Sequence, residues 1–536
     1  MMNRTHRSTP KIVNFALALL IAVLLMCVHS PVAFGRPRPA PPITSQMFSS
    51  NMVLQCDMAV PVWGWDKPGQ KVTVYFAGQT VSTTADNRGY WQVRLKPMGA
   101  SDKPQMMRVV GSRVEHFSNV LVGDVWLCSG QSNMAYSLKG WTRGGHSASE
   151  IKRANHPTIR LLLVNRAVAP DPVAQASCRP WSVCQPSVAW NWTAVGYYFA
   201  RDLTRKLHVP IGIIQSDWGG TTISVWMPRQ AFFSTPHLKY YRPLFTDPTT
   251  VINAAYSAYI PRIESWIKAA QAAKAAGQVM PDPPATPRNP ILSPNWPTRP
   301  SCLYNTMIYP LAPFAIKGVV WYQGENDVFP GLPYYRWELT SMIQYWRKLW
   351  HQGNIPFDIV QIAPCGCYGR PWSREASLVW QPEEDVADTV PNCGIIGTMD
   401  IGMLNNIHPF DKKDVGYRLS LLALSKTYGV KGLIYAGPSF AGMKVQGNKA
   451  IIRFKNVADG LKSRNGKPLV WFEIAGAKQH FVPAEATISG KDSVVVTASS
   501  VEHPTDVRYG WNDRIGKSNL ENSAGFPAMP FATDEH

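Results

Sequence analysis

Short apolar runs alternate with longer amphipathic stretches through the middle of the chain. The apolar runs predict buried strands at 124–128, 159–164, 211–215, 316–322, 357–363 and 394–400. Apolar residues that recur every three or four positions predict helices at 194–207, 257–276, 334–350 and 409–427. Strands and helices that alternate in this way are typical of a parallel sheet covered by helices on both faces. We therefore expect an α/β domain over residues 121–430.

Both flanks of this region show the two-residue period of half-buried strands instead. Runs with that period lie at 60–65, 71–76, 91–95, 450–454, 469–474 and 493–496. Turn signals such as Lys67-Pro68-Gly69 separate them. The pattern predicts two sandwich-like β domains, an N-terminal one over 36–120 and a C-terminal one over 431–536. A proline-rich stretch at 281–300 has no apolar period and is interpreted as a surface excursion of the α/β domain.

The first 35 residues predict a signal peptide. Basic residues from Arg4 to Lys11 precede the apolar stretch 12–28, and Ala33-Phe34-Gly35 places small residues where a signal peptidase cleaves. An uncleaved anchor is the alternative, because about 17 apolar residues approach a bilayer-spanning length. The short basic head and Pro31 favour cleavage. We expect a protein without a membrane anchor, secreted or periplasmic in a bacterium and lysosomal or extracellular in a eukaryote.

Net charge and cysteine content argue against several classes of function. The net charge is +19, but the Lys and Arg residues are scattered rather than gathered into a stripe, which argues against nucleic acid as a partner. Cys178 and Cys184 are close enough in sequence to predict a disulfide in an exported protein. Cys365-Gly366-Cys367 is too tightly spaced for a zinc knuckle, and no histidine cluster accompanies it. We expect neither a metal nor a cofactor.

Three of the predicted strands are each followed by a segment that carries candidate catalytic residues. The first segment is Ser129-Gly130-Gln131-Ser132-Asn133-Met134, the second is Trp321-Tyr322-Gln323-Gly324-Glu325, and the third is Ile407-His408-Pro409. Polar loops at the carboxyl ends of parallel strands converge on one edge of a sheet. A serine at a strand-to-helix turn can act as a nucleophile when a histidine serves as its base, whereas alone it is equally suited to capping the helix. We expect Ser132 and His408 to meet.

These segments resemble the signatures of sialate O-acetylesterases, which belong to the SGNH (GDSL-like) hydrolase superfamily. Further similar segments at 216–221, 303–305 and 507–511 extend the resemblance over nearly the whole chain after the predicted signal peptide. The resemblance implies an SGNH-type fold and a carbohydrate esterase that removes O-acetyl groups from sialic acids. It implies an acyl-enzyme on Ser132, with His408 as the base and an O-acetylated sialoside as the partner.

The resemblance also implies a set of oxyanion and substrate contacts. The Ser132 N–H, a Gly219 or Gly220 N–H and the Asn326 amide are the expected oxyanion donors. Asn326 fits the superfamily segment Gly-x-Asn-Asp, although the branch pattern Gly-Glu-Ser-Asn would align that asparagine with Asp327. Gln323 is the fallback donor. Gln131 and Gln323 are expected to contact substrate.

The sequence leaves three possibilities for the acidic partner of His408. Many superfamily members carry an aspartate three residues before the histidine, where this chain has Asn405, and Asn406 replaces the aspartate of the branch's Asp-Ile-His-Pro. Glu325, in a neighbouring motif loop, is the preferred acid, and Asp400 at the preceding strand end is the alternative. A Ser–His dyad without an acid is the third possibility, with Asn405 or Asn406 orienting the ring.

Two other functions compete with a sialic acid esterase. An acetylesterase for a plant polysaccharide such as acetylxylan would use the same catalytic segments. A catalytically dead glycan-binding protein would fit the flanking β domains and Asn405-Asn406, but the intact Ser132, His408 and glycines argue against it.

Overall fold

The computed structural model describes residues 42–140, 147–284, 297–328, 333–368, 376–512 and 518–535. The predicted signal peptide at 1–35 lies outside these ranges, as does most of the proline-rich stretch 281–300. The description below concerns the single unit that begins at Ile43.

Short strands form the N-terminal part of this unit. They are β1 Val53–Gln55, β2 Val60–Trp65, β3 Lys71–Phe76, β4 Gln79–Thr84, β5 Tyr90–Leu95 and β6 Ser101–Val110. β2 pairs antiparallel with β5, and β3 pairs antiparallel with β4 and β6. Val72, Val74 and Phe76 of β3 are buried while their neighbours are not, which confirms the two-residue period read from the sequence.

A long strand, β7 Val114–Gly130, joins this β region to the central sheet. Its first half pairs antiparallel with β6, and its last residues pair parallel with two strands of the central sheet. Its burial changes accordingly, from alternating at the start to complete after Val120, because the second half is covered on both faces. β7 therefore carries the chain from the N-terminal β region directly to the predicted nucleophile.

The other strands of the central sheet are short and mostly buried. They are β8 His156–Leu163, β9 Ser182–Cys184, β10 Ile211–Asp217, β11 Gly318–Tyr322, β12 Phe357–Val360 and β13 Cys393–Ile396. Their order is β13-β12-β11-β7-β10-β8-β9, and every pair is parallel except β8 with β9. The predicted parallel sheet is thus present, with β7 at its centre.

Helices cover both faces of this sheet. In the described residues they are α1 Ser132–Ala135, α2 Ser147–Arg153, α3 Pro186–Ala189, α4 Ala194–Leu207, α5 Arg229–Ser234, α6 Pro243–Thr246, α7 Pro248–Ala275, α8 Glu325–Val328, α9 Tyr335–Trp350, α10 Ser377–Thr389 and α11 Lys412–Lys426. Short 3-10 or π-helical segments lie at Ile223–Trp226, Pro236–Tyr241, Tyr304–Ile308, Tyr309–Leu311 and Thr533–Glu535.

Alternate residues of the sheet reach opposite cores. Leu127 joins a cluster that contains residues of α9 and α10, such as Trp346. Trp126, one position earlier, joins a second cluster formed with α4 and α11, where its ring lies 5.0 Å from that of Phe199. A strand covered on both faces reads as a continuous apolar run, which is the pattern that predicted it.

The C-terminal part returns to β structure, as predicted. Its strands are β14 Ser439–Gln446, β15 Lys449–Lys455, β16 Leu461–Ser463, β17 Phe472–Ala475, β18 Val482–Pro483, β19 Glu485–Ser489, β20 Ser493–Thr497, β21 Asp506–Tyr509, β22 Leu520–Asn522 and β23 Phe531–Ala532. They form two four-stranded sheets, β14-β15-β20-β19 and β18-β17-β21-β23, and the pair β16-β22. Side chains from all of these sheets, including Ile452 and Ile474, share one apolar cluster.

The structure corrects the predicted disulfide. Cys178 and Cys184 are both free thiols, because Cys178 Sγ faces Met47 Sδ at 3.8 Å while Cys184 Sγ faces the carbonyl oxygen of Ala154 at 3.7 Å. A disulfide joins Cys365 and Cys367 instead.

None of the described helices is both long enough and apolar enough to span a membrane.

Candidate active site

Ser132 lies where β7 ends and α1 begins, at the carboxyl edge of the central sheet. The turn before it requires glycine, since Gly130 has a φ of +138° and a Cβ there would lie 2.1 Å from the carbonyl oxygen of Tyr322. This close approach brings the end of β7 against the end of β11. Ser132 Oγ lies 2.8 Å from His408 Nε2, so the structure brings the two predicted residues into hydrogen-bond contact.

His408 lies in the loop between β13 and α11, and its backbone is held by a neighbouring side chain. Asn406 Oδ1 accepts a hydrogen bond from the His408 backbone N–H at 2.9 Å, so Asn406 orders the loop rather than bonding to the ring. His408 is half-buried. Burial, followed by the positive charge of Lys412, lowers the pKa of His408 below its ordinary value. This shift favours the neutral ring, which is the form that a general base requires.

The structure corrects the expectation that a carboxylate would bond to His408. Among the described residues, neither Glu325 nor Asp400 is hydrogen-bonded to the ring. Glu325 is fully buried and its Oε1 accepts a hydrogen bond from Asn133. Asp400 is ion-paired with Arg418 at 2.6 Å and with Arg464 at 2.8 Å. Both acids are therefore engaged elsewhere. The sequence did not predict this, because the order of the loops does not reveal which side chain a buried carboxylate pairs with.

Asp400 has the geometry of a stabilising residue. Burial alone would raise its pKa, but the hydrogen bonds and charge of Arg418 and the charge of Arg464 lower the pKa overall. Arg464 follows β16, so this ion pair ties the C-terminal β region to the loop after β13. Because the folded pKa is lowered, the stabilisation is present above the ordinary pKa of aspartate. It is lost as pH falls through the folded value.

We expect Asp400→Asn to destabilise the fold by about 3 kcal/mol, because it leaves the buried Arg418 guanidinium without its anion, whereas Arg464 keeps its ion pair with Glu521. Its kcat should stay within about threefold of the unmodified enzyme, since Asp400 does not contact His408. Urea unfolding and acetate release measure the two effects. Asp388→Asn is the matched control, since Asp388 pairs with Lys455 at the exposed surface and its loss should cost less than about 1 kcal/mol. A crippled kcat with normal stability would make Asp400 the triad acid.

The predicted oxyanion residues are divided between two neighbouring cavities. Gly219 packs against the nucleophile, since a Cβ on it would lie 3.1 Å from Ser132 Cβ. Gly220 has a left-handed φ of +74° and, with Asn326, lines an adjoining cavity of about 270 Å³. The backbone N–H of Asn326 faces Gln131 Oε1 at 3.3 Å. Of Gly219, Gly220 and Asn326, the structure thus places Gly219 in direct contact with Ser132.

Gln131 and Gln323 hold the two motif loops together, in place of the predicted contact with substrate. Both side chains are buried, and Gln323 Nε2 donates to Gln131 Oε1 at 3.1 Å and to the carbonyl oxygen of Thr221 at 2.9 Å. Gln131 Oε1 also accepts from the Gly324 backbone N–H at 3.3 Å. A glutamine in a loop looks solvent-exposed in the sequence, but here the loops cover one another.

The Ser132–His408 pair opens into a cleft of about 660 Å³. Two arginines line it, Arg166 and Arg179, and neither was identified from the sequence. Arg166 is half-exposed and pairs with Asp217 at 3.3 Å, while Arg179 is exposed. The available signal for Arg166 was its position three residues after β8 ends, at the same sheet edge as Ser132.

Two buried polar residues beside the pair, Lys412 and Asn133, were also not identified as site residues from the sequence. Lys412 is 2% exposed and donates from Nζ to Asn133 Oδ1. Lys412 shares the apolar face of α11 with Val415 and Leu419, and a charged residue on such a face was the signal that could have found it.

The described residues contain no cluster of three or more His, Cys, Asp or Glu side chains that could hold a metal ion.

Comparisons with known proteins agree on one class. The family described as "Carbohydrate esterase, sialic acid-specific acetylesterase" matches residues 122–251 and 291–415, which include Ser132 and His408. The solved structure of a carbohydrate acetylesterase from Xanthomonas citri is similar, with a TM-score of 0.77, 32% identity, and coverage of 92% of this chain and 100% of that chain. Curated sialate O-acetylesterases from Rattus norvegicus and Homo sapiens are 27% identical over 90% of this chain, and cover 92% and 91% of their own lengths.

The fold, with Ser132 and His408 at the carboxyl edge of its sheet, together with these similarities defines a carbohydrate esterase that removes acetyl groups. The chain belongs to the sialic acid-specific acetylesterase family of carbohydrate esterases. The resemblance seen in the sequence is therefore confirmed.

Proposed function

We propose that the enzyme removes O-acetyl groups from sialic acids, with Ser132 as the nucleophile and His408 as the general base. The observation that carries the proposal is the 2.8 Å contact between Ser132 Oγ and His408 Nε2, in a cleft that two arginines also line. Neither group alone would suffice, because an unassisted serine hydroxyl is a weak nucleophile.

The reaction proceeds in two steps through an acyl-enzyme. His408 Nε2 takes the Ser132 proton as Oγ attacks the acetyl carbonyl carbon, and then gives that proton to the sugar oxygen as the C–O ester bond breaks. In the second step His408 takes a proton from water as the water oxygen attacks the acetyl carbonyl carbon, and returns that proton to Ser132 Oγ as the Oγ–carbon bond breaks. Acetic acid leaves and ionises to acetate. The backbone N–H groups of Ser132 and Gly219 are the proposed oxyanion donors, and such a donor typically lowers the barrier by about 3 kcal/mol.

The charge of the cleft supports an acidic sugar over a neutral one. A sialic acid carries a carboxylate, for which the planar guanidinium groups of Arg166 and Arg179 are suitable partners. Arg166 is pre-positioned by Asp217 and by the ring of Trp218, 5.9 Å away. The net charge of +19 also favours the approach of anionic glycans. The signal peptide expected at 1–35 supports export, where the enzyme would meet such glycans.

Removing the cleft arginines should therefore change substrate preference. We expect Arg166→Met and Arg179→Met each to lower kcat/KM for an O-acetylated sialoside about tenfold or more, because a charge-assisted hydrogen bond contributes about 1.5–3 kcal/mol. Activity on p-nitrophenyl acetate, which has no carboxylate, should be unchanged. Acetate release from acetylated sialosides and acetylated xylan measures the preference.

Arg205→Met is the matched control, since Arg205 is exposed on α4 and outside the cleft. Acetylated xylan as the better substrate, with no effect of either cleft arginine, would favour the polysaccharide acetylesterase instead. In that outcome Ser132 and His408 keep their roles and only the substrate class changes.

A further inference from the structure

We propose that Asn133, clamped between Lys412 and Glu325, is the positioning residue that sets the geometry of Ser132 and His408. The inference rests on the proposed function, since it concerns the same Ser–His pair. Asn133 follows Ser132 directly in the chain, and its Nδ2 donates to the carbonyl oxygen of Ile407 at 3.0 Å. Ile407 directly precedes His408. One side chain therefore ties the nucleophile turn to the loop that carries the base.

The contacts of Asn133 fix its amide in one orientation. Oδ1 accepts from Lys412 Nζ, while Nδ2 donates to Glu325 Oε1 and to the Ile407 carbonyl. Turned over, the amide would present its oxygen to a carboxylate and a carbonyl, and its N–H groups to an ammonium. Each of the three contacts would then pair a donor with a donor or an acceptor with an acceptor. The side chain is fully buried, so water offers no alternative partner.

The charged residues on either side of Asn133 come from elements far apart in sequence. Lys412 begins α11 and Glu325 begins α8, and both are almost wholly buried. The Lys412 ammonium also lies 5.2 Å from the ring centre of Tyr322 and 5.3 Å from that of Tyr136. Buried charges are costly unless they are paired and hydrogen-bonded, and here the Asn133 amide connects the cation to the anion. Such an arrangement resists movement of either loop.

The same network sets the electrostatic environment of His408. Burial lowers the pKa of Lys412 to about 7, while the charge of Glu325 acts in the opposite direction. Burial raises the pKa of Glu325, opposed by its hydrogen bond from Asn133. The positive charge on Lys412 in turn helps to lower the pKa of His408.

Other charges near His408 come from the remaining walls of the cleft. Arg166, Arg179 and Asp217 line it with His408, and Asp411 adjoins Lys412 at the start of α11. None of these contacts Asn133, so a change in the network can be separated from a change in the cleft.

The first test replaces the central residue. We expect Asn133→Ala to lower kcat about 100-fold, the loss typical of a misplacement of about 1 Å, and to leave KM within about threefold. Labelling of Ser132 by the organophosphate diethyl p-nitrophenyl phosphate should slow by a similar factor, because that reaction needs the Ser–His pair but no sugar contact. Asn133→Asp, nearly equal in size, should lose as much, since it faces Glu325 with a second carboxylate. Asn155→Ala, at an exposed position, is the control.

The second test removes the cation and reads the pH dependence. We expect Lys412→Met to move the acid limb of kcat/KM to higher pH, because His408 protonates more readily without the neighbouring positive charge. Lys413→Met is the matched control, since Lys413 is the next residue of the same helix and is exposed. A role confined to stability would lower the unfolding temperature without moving this limb.

The outcomes separate this inference from the proposed function. A folded Asn133→Ala enzyme with kcat within about threefold of normal would overturn it, as would a Lys412→Met acid limb that coincides with that of Lys413→Met. Should Asn133→Ala fail to fold, Asn133→Ser and Lys412→Met give the same two readouts. Full activity in Ser132→Ala would instead reject the proposed catalytic mechanism itself.

Discussion

Replacing Ser132 with alanine is expected to abolish acetate release while leaving thermal unfolding unchanged. Only Oγ is removed, from a turn that lines the cleft, so the fold loses the hydrogen bond to the half-buried His408 but no apolar core contact. The acyl-enzyme cannot form without that oxygen, and we expect kcat to fall by at least about 1,000-fold. Release of p-nitrophenol from p-nitrophenyl acetate, followed beside acetate release from a sialoside, measures the loss.

Ser129→Ala is the control for this experiment. Ser129 lies three residues earlier in the same motif, but its side chain is buried within β7 and does not reach the cleft. We expect its removal to have little effect on kcat. Activity of Ser132→Ala within about tenfold of normal would show that another group is the nucleophile.

Local patterns predicted most of the central architecture, because each element carries its own signal. The helix at Ala194–Leu207 has the predicted bounds, since Thr193 caps it by accepting from the Gly196 backbone N–H and an apolar stripe runs along it. The helix at Ser377–Thr389 was missed because Pro382 lies inside it, and an internal proline normally ends a helical pattern. The helix at Pro248–Ala275 begins earlier than predicted because its first turns lack an apolar period.

The candidate site was predictable only as far as topology determines it. Ser132 and His408 each follow a strand of one parallel sheet, so their convergence follows from the order of elements. The partners of buried polar groups do not follow from that order. Glu325 bonds to Asn133 rather than to His408, and Asp400 bonds to Arg418, because these pairings depend on how loops cover one another in three dimensions. Motif spacing contains no such information.

Replacing His408 with alanine is expected to cost about as much activity as replacing Ser132. The two side chains act as one unit through their 2.8 Å contact, so the double variant should be hardly worse than either single one. Kinetic constants for the two single variants and the double variant, measured at one pH, test this non-additivity. His503→Ala, an exposed histidine in the C-terminal β region, is the control.

The pH profile of the unmodified enzyme gives an independent check on His408. Protonated His408 cannot accept the Ser132 proton, so kcat/KM should fall as pH drops through the pKa of the free-enzyme histidine. Because burial and the charge of Lys412 lower that pKa, the fall should occur below the ordinary histidine value, and activity should persist into mildly acidic solution. A profile that stays flat as the pH is lowered through and well below that value, with chemistry shown to be rate-limiting, would exclude His408 as the base. An acid limb at or above the ordinary value would show instead that burial and the Lys412 charge do not lower the pKa of His408 in the free enzyme.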